Sequence, residues 1–249
     1  MKVIYKLIMG EHPNNKFFFF NYHNVRHINR FLKKQIPLIK EKGNENVLVD
    51  VGAGKSPYYP WFKDSLKEYV AIDVEGTLPP NETRPMIRQI TAFAEELPLP
   101  NNYADVILSN QVLEHVIDPQ KAVQEKFRVL KSGGIYIGSV PHLSPVHLEP
   151  YDFRRFTDLG VRQLLENAGF TNIKIEGSGG IYTAIALILS MDWMLSKRKE
   201  GQLQKFSAIR ALLLFPLVGF LNISSLVLDK ILGDKKRSPA NLCWTAYKP

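Results

Sequence analysis

Residues 21–42 carry apolar side chains at helical spacing (Val25, Ile28, Phe31, Leu32, Ile36, Ile39) and stop at Gly43, a residue suited to cap a helix C-terminus. After Gly43, short apolar runs alternate with helical patterns. Strands are predicted over 47–51, 69–74, 86–90, 104–109 and 134–140, and helices over 57–67 and 118–130. A second set follows, with a helix over 157–168 closed by Gly169, a strand over 172–176 and a last strand over 242–248. Such alternation specifies a mostly parallel sheet with helices on both faces. The 75–85 connection has three prolines and no apolar periodicity, so the helix usual between such strands is expected to be missing there. Between the last two strands lies a long apolar insert, residues 181–232.

A chain of 249 residues with 45% hydrophobic content can bury one large core, and disorder is not expected. Cys243 is the single cysteine and cannot form an intrachain disulfide. Lys6 interrupts the short apolar run after Met1, so no signal peptide is expected and a reducing cytoplasm is the default. The net charge of +8 favours anionic partners without choosing among nucleic acid, acidic headgroups and a phosphorylated substrate.

The segment Asn46-Val-Leu-Val-Asp-Val-Gly-Ala-Gly-Lys-Ser-Pro57 reads as a buried strand ending in an acidic, glycine-rich turn. Gly52 and Gly54 lack a Cβ, which permits positive φ and close approach to a ligand. A P-loop is excluded because Val49 stands where its first glycine belongs. A dinucleotide fingerprint counted from Gly52 puts Pro57 at its third glycine, which weakens that reading. Asp50 would repel a pyrophosphate but suits the ammonium and sulfonium charges of S-adenosylmethionine. Asp73 closes the next strand 19 residues after Gly54, where a carboxylate can accept hydrogen bonds from both ribose hydroxyls or can serve as a loop or N-cap residue.

With Asp50, Gly52, Gly54 and Asp73 in place, the chain resembles the class I S-adenosylmethionine-dependent methyltransferases. Ala94-Glu-Glu-Leu-Pro-Leu-Pro100, Tyr103-Ala-Asp-Val-Ile-Leu-Ser-Asn110, Val112-Leu-Glu-His-Val116 and Phe127-Arg-Val-Leu-Lys-Ser-Gly-Gly134 follow in the order that family shows. The resemblance covers about residues 46–172 and resumes at 242. It implies an α/β, Rossmann-like, doubly wound sheet of seven mostly parallel strands whose last strand inserts antiparallel. It also implies that Ala94 and Glu95 border the adenine and that Asn110 lines the methyl-transfer pocket. Phe93 stands where the family often has an acidic residue, leaving adenine to backbone groups, stacking or Glu95. Ser56 stands where a third glycine is usual, so the methionine end of the cofactor is held differently, and His115 is expected to shape the cofactor pocket.

Candidates for acceptor chemistry gather after the fifth strand: His142, His147, Glu149, Tyr151, Asp152, Arg154 and Arg155. A histidine there can act as a base near neutral pH, so His142 and His147 are the catalytic candidates. Asp152 and Arg155 serve equally well as a structural ion pair. His142, His147 and Glu149 offer no fourth ligand, and no metal is expected.

The chain divides by pattern into an N-terminal helical extension (1–45), the cofactor domain (46–180 and 239–249) and the apolar insert (181–238). The insert's two runs suit a helical lid or dimer interface, or in-plane contact with a membrane. Spanning is disfavoured, because both segments would have to cross and leave Lys197, Arg198, Lys199, Lys205 and Arg210 on the far side. In-plane attachment would instead hold Lys197 to Lys199 and Lys235 to Arg237 at anionic headgroups on the inner face of the membrane. Phe17 to Phe20 are expected to pack against the sheet.

The expected activity is methyl transfer to a small-molecule or lipid- or glycan-linked acceptor. The alternatives are a nicotinamide oxidoreductase and a non-catalytic membrane- or RNA-binding module. RNA is disfavoured, because the chain lacks an aromatic and basic stripe.

Overall fold

The apolar runs become the strands of an open sheet. The computed structural model describes residues 2–41, 43–80, 86–194, 207–233 and 237–249. In chain order the elements are α1 (Lys2–Met9), β1 (Gly10–Glu11), β2 (Asn14–Asn15), α2 (Tyr22–Lys40), β3 (Asn46–Val51), α3 (Tyr59–Phe62), β4 (Leu66–Asp73) and β5 (Arg88–Thr91). They continue as β6 (Ala104–Asn110), α4 (Pro119–Val129), β7 (Leu130–Pro141), α5 (Asp158–Asn167), β8 (Thr171–Ser178), α6 (Ile181–Met194), α7 (Ala208–Ile231) and β9 (Asn241–Tyr247).

Seven strands form one sheet in the order β5-β4-β3-β6-β7-β9-β8. The pairs β3·β4, β3·β6, β4·β5 and β6·β7 are parallel, and β3 and β6 are buried almost throughout, as strands covered on both faces must be. β9 runs the other way. Gly133 N donates to Lys248 O (2.9 Å) and Lys248 N to Gly134 O (3.1 Å) at one end of β7, while His142 N donates to Ala240 O (3.0 Å) just past the other. The expected seven-stranded sheet with one antiparallel strand is the sheet observed.

The helix expected over 57–67 is not formed. Pro60 lies in the first turn of α3 and so fixes where it starts; α3 has four residues, and a single 3₁₀ turn over Lys63–Ser65 follows. Leu66 and Glu68 are then taken into β4 opposite Asn46 and Val47, so the strand begins three residues earlier than the pattern suggested. Asn46 secures that corner through Nδ2, which donates to Ser65 O (3.3 Å) and Ile39 O (3.1 Å). Two helices start as their sequences indicate. Asp118 caps α4 by accepting from Lys121 N, and Thr157 caps α5 by accepting from Gly160 N. Among the described residues of the 75–85 connection there is no helix.

The chain falls into two units. One comprises 31–140, 156–175 and 243–249, and so holds nearly all of the sheet. The other comprises 1–30, 141–155 and 176–242. In this second unit Met9, Met194, Ala211 and Val218 form a core against which Phe18, Phe19, Phe20 and Phe215 pack. Phe18, Phe19 and Phe20 thus pack on a core contributed by α1, α6 and α7, an apolar surface that the insert chiefly supplies. Gly219 makes room for them, since a Cβ there would lie 2.6 Å from the Phe18 ring.

The buried side of α7 is polar along its C-terminal half. Asn222 Nδ2 donates to Phe17 O (2.7 Å) and Phe19 O (3.1 Å), and Ser225 Oγ lies 2.9 Å from His23 Nε2. Asp229 accepts from Gly180 N (2.7 Å), Tyr182 N (3.0 Å), Thr183 N (3.2 Å) and Thr183 Oγ1 (2.6 Å), capping α6 from a neighbouring helix. The basic residues expected at 197–199, 205 and 235–236 lie outside the described residues.

Candidate cofactor site

The strand order reverses between β3 and β6, and in open α/β sheets ligands bind past the carboxyl ends of strands at such a switch point. Asp50, Gly52, Gly54, Asp73 and Asn110 all stand at those ends. Gly52 has φ of +77°, its N–H donates to Ile72 O (2.8 Å), and a Cβ there would lie 2.2 Å from Val112 Cγ2. Only glycine fits. Gly54 has φ of +50°, and its added Cβ would meet nothing within 4 Å, so the backbone at this position faces open space.

Asp73 ties the turn in place. Its Oδ2 accepts from Gly54 N (2.7 Å) and its Oδ1 from Val74 N (2.8 Å), which leaves a lone pair on each oxygen for a further donor. Asp50 is buried and accepts a hydrogen bond from the Tyr69 hydroxyl. Burial lifts its carboxyl to about 7; the Tyr69 hydrogen bond pulls it down and the charge of Asp73 adds to the rise. Leu48 pairs with Tyr69 and Asp50 with Ala71, so Tyr69, Asp50 and Asp73 share one face of the sheet.

Ser56 is buried and holds φ of +45°, so it adopts the left-handed conformation for which a glycine is the usual residue. Ala94 is buried beside Phe93, whose ring is 70% exposed. Glu95 accepts from Ile117 N (2.9 Å) and Asp118 N (3.4 Å) and thereby holds the entry to α4. The Ala94 to Pro100 segment is further bound by Arg128, which donates to Leu97 O (2.9 Å), Leu99 O (2.8 Å) and both oxygens of Glu125. Arg128 of the Phe127-Arg-Val-Leu segment therefore positions the loop.

At the end of β6, Asn110 Oδ1 accepts from Ser139 Oγ (3.0 Å), while its Nδ2 is buried without a hydrogen-bond partner. A buried unsatisfied donor at a strand end is costly, and a ligand acceptor would relieve it. The next residue, Gln111, has φ of +55° and hydrogen bonds to Ser139 through N (2.9 Å) and Nε2 (3.3 Å). Sequence reasoning passed over Gln111, because nothing in its type signals a left-handed backbone; it passed over Tyr69 as well, though a tyrosine inside an apolar strand was a usable signal. His115 is half-buried, with Nε2 at 3.7 Å from Glu114 Oε1.

His142 and His147 belong to the other unit. His147 N donates to Asp152 Oδ2 (2.8 Å), and its Nδ1 lies 3.1 Å from Pro145 O and 3.4 Å from the same carboxylate. Arg155 donates to both oxygens of Asp152 (2.6 and 2.7 Å) and to Ser144 O and Pro145 O. Burial would raise the Asp152 carboxyl, but Arg155 and the His147 N–H outweigh it and the net direction is down. Asp152 and Arg155 are thus a structural ion pair that also braces His147. His142 is placed by its backbone bond to Ala240.

These features define an open-sheet α/β protein built to hold a nucleoside-bearing cofactor at the β3/β6 switch point. Residues 49–138 match the methyltransferase domain family model. Over 98 residues the chain is 37% identical to a probable S-adenosylmethionine-dependent methyltransferase of Mycolicibacterium smegmatis, covering 37% of each chain. Over 86 residues it is 38% identical to the ubiquinone/menaquinone biosynthesis C-methyltransferase UbiE of Vibrio cholerae, covering 32% of each. The aligned stretches thus span well under half the length of these relatives. In fold, the chain is similar to phosphoethanolamine N-methyltransferase 2 of Haemonchus contortus solved with S-adenosyl-L-methionine, at TM-score 0.60 and 16% identity, covering 99% of this chain and 56% of that one. The match to the methyltransferase domain displaces the nicotinamide reading.

Proposed function

We propose that this chain transfers a methyl group from S-adenosylmethionine to a small-molecule or lipid- or glycan-linked acceptor. The observation that carries the reading is the Gly52 to Gly54 turn, held open by Asp73 and backed by the buried Asp50. The residues fit the cofactor: Asp73 keeps a lone pair on each oxygen, Gly54 leaves open space, and the Asn110 amide has an unfilled donor. When bound, the cofactor supplies a methyl group activated by its sulfonium.

Asp73 offers its remaining lone pairs to the ribose hydroxyls, and Asp50 stands toward the ammonium group. Ala94 and Glu95 bring the loop to the adenine edge, with Glu95 acting through the 117–118 turn it holds. Ser56 and His115 shape the wall. The transfer itself demands alignment more than acid-base apparatus. Where the acceptor bears a proton, His147 is favoured over His142 as base. With Nδ1–H directed at Pro145 O and braced by Asp152, Nε2 is the nitrogen suited to take the proton.

The resemblance to a quinone-biosynthesis C-methyltransferase supports a small acceptor. Calorimetry with S-adenosylhomocysteine tests the cofactor assignment. Radiolabelled methyl uptake into extracted lipids and sugar derivatives, repeated with His142→Ala and His147→Ala, tests the acceptor side. Absence of S-adenosylhomocysteine binding would overturn the proposal; unchanged turnover in the double variant would remove the histidines from it.

A further inference from the structure

α7 turns Asn222, Ser225 and Asp229 inward along its C-terminal half, beside the buried Ala211 and Val218, and is apolar on its exposed side, where an ordinary surface helix is polar. At 100° per residue, Ile209, Leu213, Pro216, Leu217, Phe220, Ile223, Val227 and Ile231 fall within an arc of about 120° running the length of the helix. All of them are exposed, Leu213 by 74%, Ile209 and Ile231 by 69% each and Phe220 by 67%. The arc contains no charge, and its one polar side chain, Ser224, donates its hydroxyl to Leu221 O. Asn222, Ser225 and Asp229 lie on the opposite side and are bound to Phe17, Phe19, His23 and the start of α6. Ile185 and Leu189 of α6 and Leu7 of α1, in the same unit, are exposed as well.

We infer that this face docks in the plane of an anionic membrane, with the apolar arc immersed at the headgroup boundary. The helix is long and apolar enough to cross a bilayer, yet only 28% of its apolar window is buried. Crossing would strip Asn222 and Asp229 of the partners that hold them, which in hydrocarbon is costly. Lying flat keeps every one of those bonds. The charge distribution selects lipid over a second protein: residues 195–237 contain nine Lys and Arg against three Asp and Glu. Within the described part, Arg210 and Lys230 stand exposed near the two ends of the helix, outside the apolar arc, as headgroup contacts should. A second copy of this chain would bring the same basic residues against themselves.

The inference is independent of the methyl-transfer reading, because cofactor binding is measured separately. The test is flotation of the full chain with vesicles of phosphatidylcholine alone and of phosphatidylcholine with one quarter phosphatidylglycerol, at low and high salt. Strong association is expected with the anionic vesicles, weakened several-fold by salt. Leu213→Ser with Phe220→Ser should reduce partitioning at least tenfold, and Arg210→Gln with Lys230→Gln should reduce it on anionic vesicles only. These positions are exposed, and circular dichroism with S-adenosylhomocysteine binding confirms that the variants fold. No association with either vesicle would overturn the inference. So would association that the apolar variant leaves unchanged, or a concentration-dependent dimer, seen by sedimentation, that the same variant abolishes.

Discussion

Asn in place of Asp50 isolates the cost of keeping a carboxyl in the sheet. The Asp50 carboxyl has an ordinary value of 3.8 and is pushed up to about 7 in the folded protein, chiefly by burial. The folded state therefore holds this proton more tightly than the unfolded chain. Stabilisation from the site is complete below pH 4 and is lost as pH climbs through 7. At 1.36 kcal/mol per tenfold change in proton affinity, the loss between pH 4.5 and pH 8 is about 3 kcal/mol. Asp50→Asn keeps an acceptor for the Tyr69 hydroxyl but cannot ionise, so it should carry none of this dependence. Urea unfolding of both proteins at the two pH values gives the quantity directly. The variant should gain about 3 kcal/mol on the parent as pH rises, and groups titrating elsewhere cancel in the comparison. A gain under about 1 kcal/mol would refute the reasoning, since Asp50 would then ionise like a solvated carboxylate. Tyr69→Phe removes the hydrogen bond that lowers the value and should move the loss to higher pH.

Asp73→Ala leaves Gly54 N without its acceptor and should weaken S-adenosylhomocysteine binding by about ten- to a hundredfold in calorimetry, because hydrogen bonds to a charged group contribute about 1.5–3 kcal/mol. Gly138→Ala places a Cβ 2.2 Å from Trp244 Cζ2 and should lower unfolding free energy by about 1–3 kcal/mol, with Trp244→Leu recovering part of it in a double-variant cycle. Asp229→Ala strands the buried donors of Gly180 and Thr183 together with that of Tyr182; a loss of about 3 kcal/mol or more in urea unfolding is expected, and Asp229→Asn should recover some of it.

What could be read in advance divides by the range of the interaction responsible. The mostly parallel sheet and the helix starts at Asp118 and Thr157 were legible, because burial on both faces and local capping leave marks within a few residues. The short α3 was not legible: the length of β4 depends on pairing with Asn46, and pairing partners are not encoded locally. The cofactor turn was legible as residue types, yet its state was not. Nothing near Asp50 in sequence says that Tyr69 donates to it or that Gly54 N lies on Asp73, contacts that span 19 residues each.

α7 shows the same limit more sharply. A count of apolar residues cannot tell a buried helix from one turned inside out, because both are rich in leucine. Asn222, Ser225 and Asp229 interrupt an apolar run, and their spacing of three and four residues is the available signal that they share a face. That face is buried together with Ala211 and Val218, and the apolar arc from Ile209 to Ile231 points outward. The polar positions in the helix, not its hydrophobic ones, therefore determine which side of it is left for a membrane.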